Sequence, residues 1–255
     1  MRLQAVSIGA LSLLWLGPAL VAQPNPEVKE KAPMYSYVAN WEMPRDKFKD
    51  MQSQLGSNDS LMKKQLANGA LIGFGYDVTV VHQPGESTHD IWWSSMSWGG
   101  MMKALEAIQS GEASSSPVLA AGKHDDKIFV SRYYNWRSGA FTNGYTRMAT
   151  WKLKAGAPDD AVDQIAKGFA VPMFEKLLAE GAIYEYEIDQ EALHSSDPGN
   201  FYFIYIANGP EGLDKATAAL GATGKAVPLA LSRFGSWVEY SAHRDGLSHT
   251  TATYK

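Results

Sequence analysis

The chain contains no cysteine. That absence removes disulfides, thiolate-bound zinc, cysteine-ligated iron–sulfur clusters and a cysteine nucleophile, and it leaves no N-terminal cysteine for lipid attachment. A basic excess is also missing. Lys and Arg number 23 against 27 Asp and Glu, a formal charge of −4, so no cationic stripe is offered to nucleic acid or to an anionic membrane surface. Past the N-terminal segment, no apolar run approaches the ~20 residues that a spanning helix needs. What is present, 255 residues with 45% hydrophobic and 20% charged side chains, is the composition of a globular protein of one or two domains.

The N-terminal segment reads as an export signal. Met1 and Arg2 give a short basic start, Ala5 to Leu16 is nearly all apolar, and Gly17 and Pro18 break the run before Ala19 and Ala22. Cleavage is expected after Ala22, with Ala19 the alternative position and an uncleaved N-terminal anchor the competing reading; on the first, residues 1–22 form a signal peptide and the mature chain is periplasmic or secreted. The proline- and charge-rich stretch 23–33 reads as a disordered lead-in.

The rest repeats itself. A displacement of 112 residues aligns Leu61–Ile108 with Met173–Leu220 without a gap, placing Asp77 on Asp189, His82 on His194 and Lys103 on Lys215. Upstream the displacement is 110, with Ala39 and Trp41 on Ala149 and Trp151. Near the ends it is 107, with Tyr133, Arg137 and Gly139 on Tyr240, Arg244 and Gly246. Each half predicts strand, helix, strand, strand, helix, strand. First strands are expected over Met34–Glu42 and Tyr145–Lys154, second strands over Ala70–Val81 and Ala182–Leu193, and third strands over His89–Ser95 and Phe201–Ala207. Fourth strands are expected over Lys127–Tyr134 and Phe234–Ser241. Pro172 should kink or split the first helix of the second half, and Ser60 should cap its counterpart. Two ferredoxin-like βαββαβ modules result, 34–139 and 144–246, followed by a C-terminal tail, 247–255.

This pattern, with the stretch Met148–Gly156, the kinked helix through Pro172 and the run Gly199–Leu213, resembles the dimeric α/β-barrel superfamily that holds antibiotic-biosynthesis-monooxygenase, NIPSNAP and EthD-like domains. The resemblance implies an α+β fold in which the two modules pack sheet to sheet as an intramolecular barrel, leaving space for a small organic ligand. It does not imply one chemistry.

Candidate site residues come from the repeat. His82 and His194 sit at equivalent strand ends, where an imidazole can act as a base or ligand, although a polar residue beside a turn gives the same pattern. Tyr133 with Arg137, and Tyr240 with Arg244, can clamp a carboxylate or donate to an anion, or can simply bridge within a module. Trp41 and Trp151 can line an apolar cavity or fill a core. Gly73 and Gly75 align with Glu185 and Glu187, so the first module has removed side chains where the second carries acids. A ligand space beside these glycines is one reading, and a bend or bulge is the other. His243-Arg244-Asp245 spells the kinase catalytic tripeptide without the accompanying motifs, and Asp125-Asp126 reads as a loop.

No metal site and no cofactor are predicted. Haem is left open, because chlorite dismutases and dye-decolourising peroxidases share the double ferredoxin-like barrel and hold haem with a His and an Arg, but their signatures are absent here. The expected function is binding of a small apolar or aromatic molecule between the two sheets, by a monomer or homodimer, without nucleic-acid or membrane partners after signal cleavage. A cofactor-independent oxygenase or isomerase is the first alternative and a glycan-binding module the second.

Overall fold

The computed structural model describes residues 29–111, 116–193 and 198–255. The expected signal peptide and His194 lie outside them. Among the described residues no helix is long and apolar enough to cross a membrane.

In chain order the first half contains β1 (Met34–Glu42), α1 (Phe48–Leu55), α2 (Asp59–Ala67), β2 (Gly73–Thr79), β3 (His89–Ser95), α3 (Trp98–Gln109) and β4 (Lys123–Trp136). After the two-residue β5 (Ala140–Phe141), the second half contains β6 (Gly144–Lys152), α4 (Ala161–Ile165), α5 (Val171–Ala179), β7 (Ile183–Glu191), β8 (Asn200–Ala207), α6 (Gly209–Ala226), α7 (Pro228–Trp237) and β9 (Arg244–Tyr254). The strands follow the order β2-β3-β1-β4-β7-β8-β6-β9, and β9 pairs back onto β2. The result is a closed, eight-stranded antiparallel barrel with helices outside it, the fold that the sequence implies. Each half covers the outer face of its own four strands with helices, and the two seams, β4 with β7 and β9 with β2, join the halves. Closure leaves no free sheet edge in the ring.

Local chemistry explains the elements. Ser97 caps α3 by accepting a hydrogen bond from the Gly100 amide at 3.0 Å. Gly69 and Gly181 take positive φ, 76° and 70°, in the turns that end α2 and α5, as glycine permits and other residues resist. Pro172 has no amide hydrogen, and the chain accommodates it with a π-helical turn over Ala166–Ala170 that runs directly into α5. In the first half the corresponding helix is interrupted by a 3₁₀ turn at Gly56–Asn58, and α2 begins at Asp59, not after a Ser60 cap.

One strand lies elsewhere than the sequence suggests. Phe234–Ser241 has strand-like composition, but Pro228 opens a helix, and Leu231 and Phe234 three residues apart face the sheet, so Phe234–Trp237 ends α7 and a 3₁₀ turn follows at Tyr240–Ala242. The fourth strand of the second half is β9, formed by Arg244–Tyr254, so the expected tail 247–255 is mostly barrel wall. The register shows the consequence. Ala39 opposes Ile91 as Ala149 opposes Phe203, preserving the displacements of 110 and 112 residues read from sequence. Ala39 also opposes Asp126 as Ala149 opposes Asp245, a displacement of 119 residues in place of 107. The supposed lead-in is also tied down at its end: the Lys31 amide donates to the Arg132 carbonyl at 2.8 Å, and the Tyr134 hydroxyl to the Ala32 carbonyl at 2.9 Å.

Candidate functional site

Alternation along the strands gives the barrel two different faces. On β1, Ser36, Val38 and Asn40 point inward, while Tyr37, Ala39 and Trp41 point to the helices. The interior holds a cavity of about 340 Å³. Phe129, Met148, Ile204 and Ile206 give it an apolar wall, and Asp77, Asp90, Glu185, Glu187 and Asp189 give it an acidic one.

Some of these acids are well served. Asp77 accepts from Trp92 Nε1 at 3.1 Å and from the Thr146 hydroxyl at 3.0 Å, yet burial still raises its pKa. Glu185 and Glu187 hold the ammonium of Lys255, whose side chain is 1% exposed and whose charge lies about 5 Å from the ring centres of both Trp92 and Trp136. Burial opposes the charge on Lys255, but the two carboxylates outweigh it and raise its pKa. Burial pushes Asp90 up to about 7, and pushes Glu185 and Asp189 well above the usual carboxylate range.

The glycines do not open extra room. A Cβ on Gly73 would lie 2.4 Å from the Lys255 side chain, and one on Gly75 would lie 2.4 Å from the Trp92 indole. Removing side chains from β2 makes space for these two residues of the protein itself.

A second cavity, of about 380 Å³, lies outside the barrel between the β1–β3 surface and the helices of the first half. Its floor is Tyr37, Trp41, Ile91 and Trp93, and Met62, Leu105 and Ile108 close over it. Tyr37 and Trp93 stack at 4.4 Å, which fixes two of the walls. Asn58, Gln109 and Ser116 also line this space, and its acid–base pair comes from β4. His124 Nε2 lies 3.1 Å from Asp126 Oδ1, and that hydrogen bond raises the imidazole pKa against the opposing effect of burial. Burial and a hydrogen bond to Asp126 hold the Tyr37 phenol above its ordinary range. Asp126 thereby orients an imidazole and a phenol together, an arrangement able to bind a hydroxyl or exchange a proton with one.

The second half carries the same framework in another state. His243 lies 3.3 Å from Asp245 and stacks on Trp151, and Arg147 replaces Tyr37, 3.1 Å from Asp245. There α7 lays Phe234 edge-on against Trp151 at 4.7 Å, filling the place that is a cavity beside Trp41.

The residues expected from sequence are therefore scattered. Trp41 is in the outer cavity, and Trp151 meets Tyr240 edge-on at 5.8 Å in the second half. His82 is exposed, with its ring against Phe48. Tyr133 is buried in the core of the second half with Lys167 over its ring, whereas Arg137 is exposed beyond β4. Arg244 stands at the lip of the barrel cavity and donates to the Ser241 and His243 carbonyls, so the Tyr133–Arg137 and Tyr240–Arg244 pairs occupy unlike places. His124 and Asp126 were missed. Their signal is the His-x-Asp pattern that recurs at His243 and Asp245, hidden because the displacement changes to 119 residues after α6 and α7.

Haem does not fit these residues. Among the described residues no histidine lines the barrel cavity, and His124, which lines the outer one, directs Nε2 at Asp126. No described group of three or more His, Asp or Glu side chains is arranged to hold a metal ion.

No protein-family model matches the sequence, and no curated protein resembles it significantly. Solved structures do share its fold. A candidate monooxygenase from Lactobacillus acidophilus is 12% identical, with a TM-score of 0.58 over 88% of this chain and 97% of that one. A candidate monooxygenase from Fusobacterium nucleatum is 10% identical, with a TM-score of 0.60 over 88% and 95%. A candidate chlorite dismutase is 14% identical, with a TM-score of 0.52 over 86% and 95%. At these identities the likeness is one of fold: a double ferredoxin-like, closed α/β barrel.

Proposed function

We propose that the protein binds a small aromatic molecule bearing a hydroxyl group in the outer cavity of its first half. The observation that carries this reading is an apolar, aromatic-walled space whose rim presents one organised polar group, His124 with Asp126 and Tyr37. The barrel interior, where the sequence places the apolar ligand, suits it less well because one wall is acidic. A test is titration with 1-naphthol followed by tryptophan fluorescence. Binding should be lost in Leu105→Trp, which fills the cavity, and kept in Asp189→Asn, which alters only the barrel interior. Binding that ignores Leu105→Trp would overturn the assignment.

A second reading adds turnover. A carboxylate-oriented imidazole beside an apolar cavity is suited to removing a hydroxyl proton, the first step expected of a cofactor-independent oxygenase or isomerase, and the monooxygenase candidates of the same fold keep that reading in view. Oxygen uptake or isomerisation lost in both His124→Ala and Asp126→Ala would support it, whereas no turnover across a panel of phenols would leave a binding protein. Export belongs to the same proposal. N-terminal sequencing of secreted material should begin near Gln23, and an intact Met1 in a membrane fraction would contradict it.

A further inference from the structure

We propose that the barrel interior is a second binding site, separate from the outer cavity, for a small organic cation: a primary ammonium on an apolar body. The unmet hydrogen-bonding demand inside the barrel points there. Asp77 is served by Trp92 and Thr146, Asp125 accepts from Asn40 Nδ2 at 3.1 Å, and Glu185 and Glu187 share the Lys255 ammonium. Asp189 has no such donor. It is 0% exposed and faces Glu187; the Ser131 hydroxyl lies beside it but is directed at the Tyr133 and Ile188 carbonyls, so neither carboxylate oxygen has a well-aligned donor. Asp90 Oδ1 is likewise buried without a donor. Both acids line the same cavity of about 340 Å³, and native structures rarely leave such groups unmatched.

The type of donor follows from the surroundings. The lining carries eight carboxyl groups against Lys127 and Arg244, so an anion is disfavoured; a neutral apolar molecule would leave Asp189 as it is, whereas a cation beside it lets that buried carboxyl ionise. A molecule with an ammonium end matches the acidic wall and places its body against Phe129, Met148 and Ile204. The protein already contains one example of this recognition. The Lys255 ammonium is wholly buried between two carboxylates and two indole faces, with its alkyl chain over Gly73. A ligand ammonium at Asp189 would repeat that solution farther along β7, with the cavity receiving the body.

The test compares three probes of similar shape by calorimetry on the full chain at neutral pH: 2-phenylethylammonium, 2-phenylethanol and 3-phenylpropionate. The ammonium should bind at least tenfold more tightly than the alcohol, and the carboxylate most weakly. Asp189→Asn keeps the side-chain shape and should weaken the ammonium at least tenfold without lowering the melting temperature. Should that variant fail to fold, Asp90→Asn probes the same cavity and is expected to weaken binding in the same direction. Leu105→Trp should leave ammonium binding unchanged. Equal affinity for the alcohol, no binding of the ammonium, or a loss in Leu105→Trp with Asp189→Asn unaffected would each overturn the proposal. The last outcome would place the probe in the outer cavity, so failure here is distinguishable from failure of the outer site.

Discussion

Trp41 and His124 lie face to face across adjacent strands, with ring centres 4.5 Å apart and planes 25° from parallel. The stack leaves the imidazole edge to Asp126, so one contact sets the ring plane and the other sets its charge. With Asp126 raising the pKa, His124 should titrate above its ordinary 6.5, and Asp126→Asn should lower it measurably. Because the folded pKa is raised, the stabilisation from this pair is fully present below 6.5 and is lost as pH rises through the folded value. The group is partly solvated, so the effect should be small, about 0.5 kcal/mol. Two-dimensional NMR titration of the imidazole resonances tests the shift, and an unchanged pKa in Asp126→Asn would remove the role given to that carboxylate.

Much of the barrel is legible in the sequence because strand periodicity and turn chemistry are local. His89–Ser95 is delimited as expected, and the alignment of β2 with β7 survives in the register. What escapes is what depends on tertiary context. Phe234 and Trp237 read as strand residues until Pro228 starts a helix, and that single error displaces the last strand and conceals the repeated His-x-Asp pair. The glycines show the same limit from another side. A missing side chain is visible in sequence, but its replacement by Lys255 and Trp92 is not, because those residues lie far along the chain or on the neighbouring strand.

Gly75 is consequently a packing residue. A Cβ there would stand 2.4 Å from the Trp92 indole, a rigid ring whose Nε1 is engaged by Asp77. Gly75→Ala should destabilise the fold by ~1–3 kcal/mol through overpacking. Gly99→Ala, in the first turn of α3 where nothing lies within 4 Å of an added Cβ, should be neutral or stabilising by up to ~1 kcal/mol. Urea denaturation of the two variants makes the comparison, and equal stabilities would contradict it.

Phe234 decides whether the second half has an outer cavity. It is 6% exposed and packs against Trp151, Phe169 and Phe203. Phe234→Ala should cost ~3–5 kcal/mol and open apolar space beside Trp151. If the framework of Trp151, His243 and Asp245 retains the ability to bind, 1-naphthol should then show a second equivalent in calorimetry. A destabilised variant that still binds one equivalent would mean that Arg147, standing where the first half has Tyr37, has abolished the site independently of filling.

Asp90 offers the clearest pH test because its direction is opposite to that of an ordinary salt-bridged carboxylate. Burial raises it from 3.8 to about 7, the hydrogen bond from Ser87 works against that rise, and Asp77 and Asp125 add to it while Lys127 opposes it. Below pH 3.8 both folded and unfolded chains carry the proton and the group has no effect on stability. As pH rises towards 7 the unfolded chain releases the proton first, so stability falls across that window and the loss is complete above it. Asn cannot ionise, and its carbonyl can still accept from Ser87. Asp90→Asn should therefore match the parent protein near pH 3.5 and be more stable at pH 8, by ~2–4 kcal/mol at about 1.4 kcal/mol per pKa unit. Urea denaturation at the two pH values measures the difference directly. A stability increment that is the same at both would show that Asp90 titrates alike in the folded and unfolded chains, and the burial-raised pKa given to it would fall.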